Sequence, residues 1–247
     1  MTGPEVRHNQ DADWDAWPVA AYLAENYREL HHIDRGVITH HSGFYRRFPP
    51  GGLARTLELG AGPNLYPLML AAAASRHIDA LEPGAANREY LYRQLTGGPD
   101  ASWQPFYQLC RALDPALPAT LDEALGRVRV VRGDAEDLTD GGYDAASMNF
   151  VAESVTEDPT EFTTLCAAFT RAVRPGGHLV AAFMERMPSY RIGEGPYWPA
   201  LPVDEAVLHE VFGPLTTDLR ISRLAKDRTL PEYGDTGILL LTARRPP

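Results

Sequence analysis

The stretch "LELGAGPNLYPL", residues 57–68, decides the fold of this chain. An apolar segment runs into two glycines, Gly60 and Gly62, before the sequence turns apolar again. The pattern predicts a strand over 53–60 and a helix over 66–76, with the glycines in the tight turn between them. Without a Cβ atom, both glycines can adopt positive φ and let a ligand touch the backbone. Open α/β sheets bind ligands at the carboxyl ends of their strands, so we expect a ligand at this turn.

Segments typical of strands and of helices alternate along the rest of the chain. Strands are predicted at 77–83, at 127–134, within 143–154 and at 178–184, and helices at 85–96, 160–173 and 203–212. Ahead of this pattern, helices are predicted after Pro18 and over about 34–48, whereas residues 1–13 are polar and expected to be loose. The alternation predicts an α/β fold with a mostly parallel sheet covered on both faces, and the closing segment 236–245 favours a terminal antiparallel hairpin.

An acidic residue ends the second predicted strand. Glu82 lies 20 residues after Gly62, where a carboxylate can accept two hydrogen bonds from ribose hydroxyls. A dinucleotide-binding turn would have a third glycine in the pattern G-x-G-x-x-G, and none follows Gly62 at that spacing. No G-x-x-x-x-G-K-[ST] phosphate-binding pattern occurs either. The pattern E/D-x-G-x-G followed by a second-strand acid is usual in S-adenosylmethionine (SAM) methyltransferases.

Further polar residues are candidates for the same crevice. Asp134 closes the third strand, where an acid can hydrogen-bond the adenine amino group. Asn149 ends the fourth strand, and Asn87 lies one helical turn into the helix after Glu82, within reach of the ribose. Glu153 lies just past the fourth strand, where a carboxylate can bind an ammonium group or take a proton. Solvated positions are the alternative interpretation of Asp134, Asn87 and Glu153.

A narrower resemblance runs from about Tyr22 to the C-terminus. It is carried by "YLAENY" (22–27), "LELGAGPNLY" (57–66), "ALEPGAANRE" (80–89), "SWQPFY" (102–107), "RGDAEDL" (132–138), "SYRIGEGPYWPALPV" (189–203) and "TGILLLTARR" (236–245). On these residues the chain resembles the nicotinamide/phenylethanolamine/indolethylamine N-methyltransferase and thioether S-methyltransferase family. The resemblance implies a Rossmann-like class I methyltransferase with a mostly parallel seven-stranded sheet and a C-terminal antiparallel hairpin. It implies a single domain, 1–247, with an N-terminal helical lid over about 14–50 and a SAM-binding core over 53–247.

The resemblance also implies roles for single residues. Tyr22 and Tyr27 match paired tyrosines that close a lid over the cofactor and hydrogen-bond its methionine carboxylate; aromatic core positions are the alternative. The residues that match cofactor-binding positions of the family are Tyr22, Tyr27, Gly60, Gly62, Tyr66, Glu82, Asn87, Asp134, Ala135 and Asn149. The acceptor contacts are matched by Phe150, Glu153, Phe183, Met187 and Tyr190. Glu153 and Tyr22 are the residues expected to act in catalysis, by holding the acceptor amine and by aligning the reacting groups.

The chain departs from the family in its acceptor pocket. The nicotinamide branch has an acid at the position of Phe183, and the phenylethanolamine branch has one at the position of Met187. Both positions are apolar here. An aromatic or heteroaromatic small molecule therefore fits the expected pocket better than a highly charged one.

Composition and charge limit the possible partners and the cellular compartment of this protein. A net charge of −10 over 247 residues disfavours a nucleic-acid partner, and we expect neither a signal peptide nor a membrane span. Cys110 and Cys166 have no metal-type spacing, so no metal is expected and a reducing cytoplasm is the simplest compartment. The oligomeric state stays open, with a monomer among the alternatives.

The sequence therefore predicts a SAM-dependent methyltransferase that acts on the nitrogen of a small aromatic or heteroaromatic amine. Methylation of oxygen or sulfur on the same fold is an alternative. An NAD(P)-dependent oxidoreductase and a non-catalytic SAM-binding protein are the alternatives from other classes. Lys226 is the single lysine, which suggests a GC-rich bacterial genome and makes specialised metabolism a reasonable setting.

Overall fold

A mixed sheet of seven strands forms the centre of the molecule. The computed structural model describes residues 7–228, 230 and 233–247. The strands are β1 (Leu53–Leu59), β2 (Ser75–Glu82), β3 (Val128–Arg132), β4 (Tyr143–Asn149), β5 (Val173–Glu185), β6 (Tyr190–Arg191), β7 (Tyr197–Trp198), β8 (Thr217–Ala225) and β9 (Gly237–Arg244). The order in the sheet is β3-β2-β1-β4-β5-β9-β8, while β6 and β7 pair with each other. Strands β1 to β5 run parallel, and β9 pairs antiparallel with both β5 and β8.

Helices cover both faces of this sheet. They are α1 (Val19–Asn26), α2 (His32–Tyr45), α3 (Tyr66–Ala71), α4 (Ala85–Thr96), α5 (Gln104–Leu113), α6 (Leu121–Leu125), α7 (Pro159–Ala172) and α8 (Glu205–Phe212). Successive strand residues point to opposite faces, so two cores result. Ala80 and Ala182 belong to the core on the side of α2, α3 and α5, whereas Leu81 and Phe183 belong to the core on the side of α7 and α8. Within the described part of the chain, no helix combines the length and the apolarity that crossing a membrane demands.

The predicted fold class is confirmed, including the antiparallel pair at the C-terminus. The helix predicted over 66–76 is shorter than expected and ends at Ala71. The carbonyl groups of Ala73 and Ala74 accept hydrogen bonds from the N–H groups of Gly51 and Leu53, which draws this alanine-rich segment towards the sheet. Tertiary hydrogen bonds thus override the local preference for a helix.

The segment ahead of α1 packs against the carboxyl edge of the sheet. It forms two 3-10 turns, Asn9–Asp11 and Trp14–Ala16. The Asn9 amide donates to Asp134 at 3.1 Å, and the Asp15 carboxylate accepts the N–H of Ala85 at 2.6 Å. The expectation of a loose segment over 1–13 is therefore wrong for residues 7–13, because distant loops partner their polar side chains. Residues 1–6 lie outside the described part of the chain.

A buried carboxylate ties four strands of the sheet together. Asp79 on β2 accepts hydrogen bonds from Arg55 on β1 at 2.7 Å, from Tyr143 on β4 at 3.1 Å and from two nitrogens of Arg129 on β3 at 3.0 Å. Burial opposes the ionisation of Asp79, but the hydrogen bonds from Arg129 and Arg55 outweigh it and lower its pKa. The ionised side chain therefore stabilises the pairing of these strands.

We expect Asp79→Asn to lower the free energy of unfolding by about 1–2 kcal/mol near neutral pH, since both arginines are partly solvated. A lowered pKa means that the stabilisation is present above the pKa of the unfolded chain and is lost as the pH falls through the lower folded value. Urea unfolding near neutral pH and in acid measures the effect. Asp122→Asn, at an exposed acid, is the control. A deficit that does not shrink in acid would contradict the ionic role of Asp79.

Candidate active site

The turn between β1 and α3 has the left-handed backbone that glycine permits. The φ angles are +64° at Gly60 and +55° at Gly62. A Cβ atom on Gly60 would lie 2.7 Å from the methyl groups of Val151, so this glycine allows the turn to pack against the loop after β4. A Cβ atom on Gly62 would meet a single atom, at 3.9 Å. Free space therefore lies over Gly62.

Glu82, at the end of β2, braces this turn. Its Oε2 accepts the N–H of Gly62 at 2.8 Å, and its Oε1 accepts the N–H of Gly84 at 2.8 Å and Nδ2 of Asn87 at 3.2 Å. Burial raises the pKa of Glu82, and these three donors oppose the rise. The Oδ1 atom of Asn87 is buried, and no group in the described part of the chain donates to it. Glu82 and Asn87 together offer acceptor oxygens to the hydroxyls of a ligand.

A deep cavity opens over the turn. Including its mouth, it encloses about 1510 Å³ free of protein atoms. Among the described residues, no lysine, arginine or histidine lines it. The acids that line it are Asp34, Glu82, Asp134, Asp227 and Asp235. Lys226, outside the lining, pairs with Asp235 at 3.1 Å. The acidic lining still favours a cationic ligand over an anionic one.

Asp134 borders the cavity at the end of β3. Its Oδ1 accepts the N–H of Ala135 at 2.5 Å, and its Oδ2 accepts the Asn9 amide at 3.1 Å. Asn9 lines the cavity, but Ala135 does not, because its methyl group packs into the core beneath. Ala135 therefore does not reach the cavity as predicted. Its N–H instead holds the Asp134 carboxylate in place.

Two of the three predicted tyrosines face each other in the cavity. The hydroxyls of Tyr22 and Tyr27 lie 3.4 Å apart, and the Asn64 amide donates to the Tyr27 hydroxyl at 3.1 Å. Burial raises the pKa of Tyr22 to about 12, so its hydroxyl stays protonated. Tyr66 does not line the cavity: its ring stacks on Phe106 below, with centroids 6.3 Å apart. The Tyr66 hydroxyl is buried, and no described group lies in hydrogen-bonding geometry to it.

The chain turns sharply where β4 ends. Phe150 has a φ of +60°, a conformation that costs an aromatic residue energy and that clusters at functional sites. Its N–H donates to the Ala182 carbonyl at 2.8 Å, and the residue lines the cavity. The amide of Asn149 donates to Glu58 at 3.0 Å and to Ser147 at 2.9 Å. Asn149 borders the cavity, but both of these hydrogen bonds bind its amide within the protein.

Aromatic and thioether side chains form one part of the cavity wall. They are Trp14, Trp17, Tyr22, Phe150, Met184, Met187, Tyr190 and Tyr233. Behind them, Trp198 stacks on Trp14 with centroids 4.9 Å apart and tilts against Trp17 at 4.8 Å. Met187 and Tyr190, both expected at the acceptor, lie in this wall. A flat aromatic ligand would find ring faces and edges to pack against here.

Phe183 does not belong to this wall, and its prediction as an acceptor contact is wrong. Its ring packs on the other side of the sheet, with centroids 6.3 Å from Phe162 and 6.0 Å from Phe212. Met184, the next residue along β5, lines the cavity instead. The cause is the alternation of side chains along a strand, which places neighbours on opposite faces.

Glu153 lies behind the cavity wall and does not line it, contrary to its expected contact with the acceptor. It belongs to a 3-10 turn, Ala152–Ser154, and its side chain is fully buried. Its Oε1 accepts the N–H of Met184 at 2.7 Å, and its Oε2 has no partner among the described residues. Burial raises the pKa of Glu153 to about 8, so the carboxyl is largely protonated at neutral pH. Glu153 supports the backbone of β5 from behind.

Several cavity residues carry no signal of a site role in the sequence. They are Asn9, Asn26, Asp34, Asn64, Asp227 and Tyr233. Asp235 also lines the cavity. Trp14 and Trp17 have no predicted role in the site, although their close spacing with Tyr22 is a signal of an aromatic wall.

We expect the stability of the wild type to fall relative to Glu153→Gln as the pH rises. The pKa of Glu153 is higher in the folded than in the unfolded chain. The stability that its neutral carboxyl contributes is therefore full below the pKa of the unfolded chain and is lost as the pH rises through about 8. The neutral amide of the variant has no such dependence. The shift in relative stability should reach about 2 kcal/mol or more between acid and alkaline buffers. Urea unfolding across this range measures it, with the exposed Glu136→Gln as control. A pH-independent difference would contradict the buried, neutral carboxyl.

Comparisons with known proteins agree with this geometry. The model of the NNMT/PNMT/TEMT family matches residues 8–245. No curated protein sequence matches the chain significantly. Solved structures of low identity share the fold.

Three of these structures illustrate the likeness. DhpI in complex with S-adenosylhomocysteine (SAH) is 17% identical, with 95% of this chain and 94% of that chain covered and a TM-score of 0.60. The N-methyltransferase NodS from Bradyrhizobium japonicum WM9, also with SAH, is 13% identical, with 96% and 100% covered and a TM-score of 0.58. The Burkholderia thailandensis 1,6-didemethyltoxoflavin-N1-methyltransferase is 18% identical, with 100% and 94% covered and a TM-score of 0.54.

These structural likenesses show the fold, whereas the family model identifies the relationship. It spans nearly the whole chain and includes the glycine turn, the second-strand acid and the paired tyrosines. The chain therefore belongs to the NNMT/PNMT/TEMT family of SAM-dependent methyltransferases, as its resemblance predicted.

Proposed function

We propose that this chain transfers the methyl group of SAM to the nitrogen of a small aromatic or heteroaromatic amine. One observation carries the proposal: a single cavity joins the Gly62–Glu82 turn to the wall that contains Trp17 and Tyr190. A nucleoside cofactor at the turn and a flat acceptor against the wall would share this space. Direct transfer requires such proximity.

The residues around the turn suit the parts of SAM. Glu82 and Asn87 would hold the ribose hydroxyls, and the buried Oδ1 of Asn87 lacks a donor that a hydroxyl would supply. Asp134 would accept the adenine amino group. Tyr22 and Tyr27, whose hydroxyls face each other in the cavity, would donate to the methionine carboxylate.

The chain itself would contribute alignment and the exclusion of water. SAM, when bound, supplies a methyl group on a positively charged sulfur that is already a good leaving group. Tyr22 packs edge-on against Trp17, with centroids 5.5 Å apart, and its hydroxyl faces that of Tyr27. In this position Tyr22 would contact both the cofactor and the acceptor and hold the two in line.

Nitrogen is the atom that we favour for methylation. Two structural neighbours are named as N-methyltransferases, and one of them was solved with bound 1,6-didemethyltoxoflavin and SAH. The acids that line the cavity of this chain would attract an amine in its protonated form. The aromatic wall would then take the rest of the acceptor. The ammonium would pass its proton to a carboxylate or to water before the freed lone pair forms the N–C bond and the S–C bond of SAM breaks.

Turnover with a panel of arylamines, arylalkylamines and N-heteroaromatic compounds tests the proposal. Incubation with SAM should give a methylated product and an equal amount of SAH, and NMR should place the new methyl group on nitrogen. A methyl group on oxygen or sulfur would overturn the nitrogen assignment. SAH binding without turnover of any acceptor would favour a non-catalytic SAM-binding protein, and thermal stabilisation by NADH but not by SAH would favour an oxidoreductase.

We expect Glu82→Gln to weaken SAH binding by about 1–3 kcal/mol, because the ribose hydroxyls lose charge-assisted hydrogen bonds. The amide keeps the size of the side chain and can still accept one of the backbone N–H groups that hold the turn. Isothermal titration calorimetry measures the change. Glu89→Gln, at an exposed acid of the same α4 helix, is the matched control and should bind SAH as the wild type does. Equal affinities of the two variants would contradict the ribose assignment.

A further inference from the structure

Asp34 is a carboxylate to which the proposed function gives no role. It lies in the first turn of α2, is only 5% exposed and lines the cavity. Its Oδ2 accepts the backbone N–H of His31 at 3.1 Å. Within the described part of the chain, its carboxylate accepts no other hydrogen bond and forms no ion pair.

Helix capping does not explain why this carboxylate is buried. The Asp34 side chain accepts the N–H three residues earlier, and Glu123 and Asp137 do the same at their own helical turns. Glu123 and Asp137 are both exposed. The same capping interaction is therefore made in solvent elsewhere in this chain, where it carries no cost of desolvation.

Burial without a cationic partner makes the Asp34 carboxylate costly to ionise. Burial raises the pKa of Asp34 to about 7, the N–H of His31 opposes the rise, and the charge of Asp227, another cavity residue, adds to it. No basic residue among the described ones lines the cavity to offset this charge. A cation that enters the cavity would remove the penalty.

The neighbours of Asp34 indicate what kind of cation fits. Burial raises the pKa values of Tyr22, Tyr27 and Tyr66, and the charge of Asp34 adds to each rise. The hydroxyls of Tyr22 and Tyr27 line the same cavity as Asp34 and lie 3.4 Å apart. A carboxylate and hydroxyl donors in one cavity suit a hydrogen-bonding cation and, beside it, an acceptor group.

We propose that Asp34 binds a primary or secondary ammonium group inside the cavity. The inference rests on the proposed function, which supplies two such groups: the α-ammonium of the methionine part of SAM and the protonated amine of the acceptor. Either group would form a charge-assisted hydrogen bond with the free oxygen of Asp34.

Calorimetry of the full-length chain with four probes tests the inference. SAH carries the α-ammonium, and 5′-methylthioadenosine lacks the whole amino-acid part. 2-Phenylethylamine, added to the SAH complex, carries an ammonium that 2-phenylethanol lacks. The variants are Asp34→Asn, which keeps an acceptor for His31, and Asp34→Ser as a second replacement. Glu123→Gln is the matched control, since it alters the equivalent capping acid of α6 outside the cavity.

Two patterns would support the inference and identify the ligand. If Asp34 holds the methionine ammonium, both Asp34 variants bind SAH about 10- to 100-fold more weakly and bind 5′-methylthioadenosine as before. If it holds the acceptor, SAH affinity stays unchanged, and 2-phenylethylamine binds about 10-fold more weakly or worse while 2-phenylethanol does not.

Other outcomes would overturn it. Equal affinities of the wild type and both Asp34 variants for all four probes would show that no ammonium meets Asp34. A loss that extends to 5′-methylthioadenosine, with a melting temperature below that of Glu123→Gln, would show a structural role. A wild type that binds neither SAH nor 5′-methylthioadenosine would overturn the proposed function itself, whereas normal wild-type binding with unchanged variants would overturn only the role of Asp34.

Discussion

The Glu82 carboxylate accepts backbone N–H groups from two turns, at Gly62 after β1 and at Gly84 after β2, each at 2.8 Å. Charge-assisted hydrogen bonds in a site that is 4% exposed fix the two strand ends relative to each other. The carboxylate cannot turn to follow a ligand, so a ligand has to meet acceptors that are already in place. The same interaction leaves room for a ligand over Gly62. The N–H of Gly62 donates to Glu82, and the side of this residue without a Cβ atom borders the cavity.

This part of the molecule could be predicted because its chemistry is local in sequence. Gly60, Gly62 and Glu82 lie in or beside strand ends, and the alternation of strands and helices determines which edge of the sheet those ends share. The face of the sheet to which a side chain points depends on contacts with distant parts of the chain. Phe183 and Met184 are neighbours in β5, yet only Met184 lines the cavity. A match to a family position indicates where a residue lies along the chain, whereas the pairing of β5 with β4 and β9 determines which face it occupies.

Glu153 and Asp34 show even more clearly that the sequence does not predict where a side chain points. The place of Glu153 just beyond β4 predicts a contact with the acceptor, but the 3-10 turn Ala152–Ser154 directs its side chain inward to the backbone of Met184. Asp34 comes from α2, which precedes β1, and reaches the cavity through helix packing alone. Asn9 contacts Asp134 across 125 residues of sequence. No periodicity or spacing encodes contacts of this range, so the sequence could not place either Asp34 or Asn9 in the site.

The acidic lining of the cavity would affect how strongly the cofactor, its by-product and the methylated product bind. SAM carries a positive sulfonium, and the acidic lining, of which Asp235 pairs with Lys226, would attract it. Methyl transfer removes that charge from sulfur, so SAH loses an attraction that SAM had. The charge passes to the methylated nitrogen, and the same acids would hold the product until its proton leaves. If SAM binds as proposed, the charge of the lining would favour the cofactor over its by-product, and Asp34, with a pKa raised to about 7, would adjust that charge close to neutral pH.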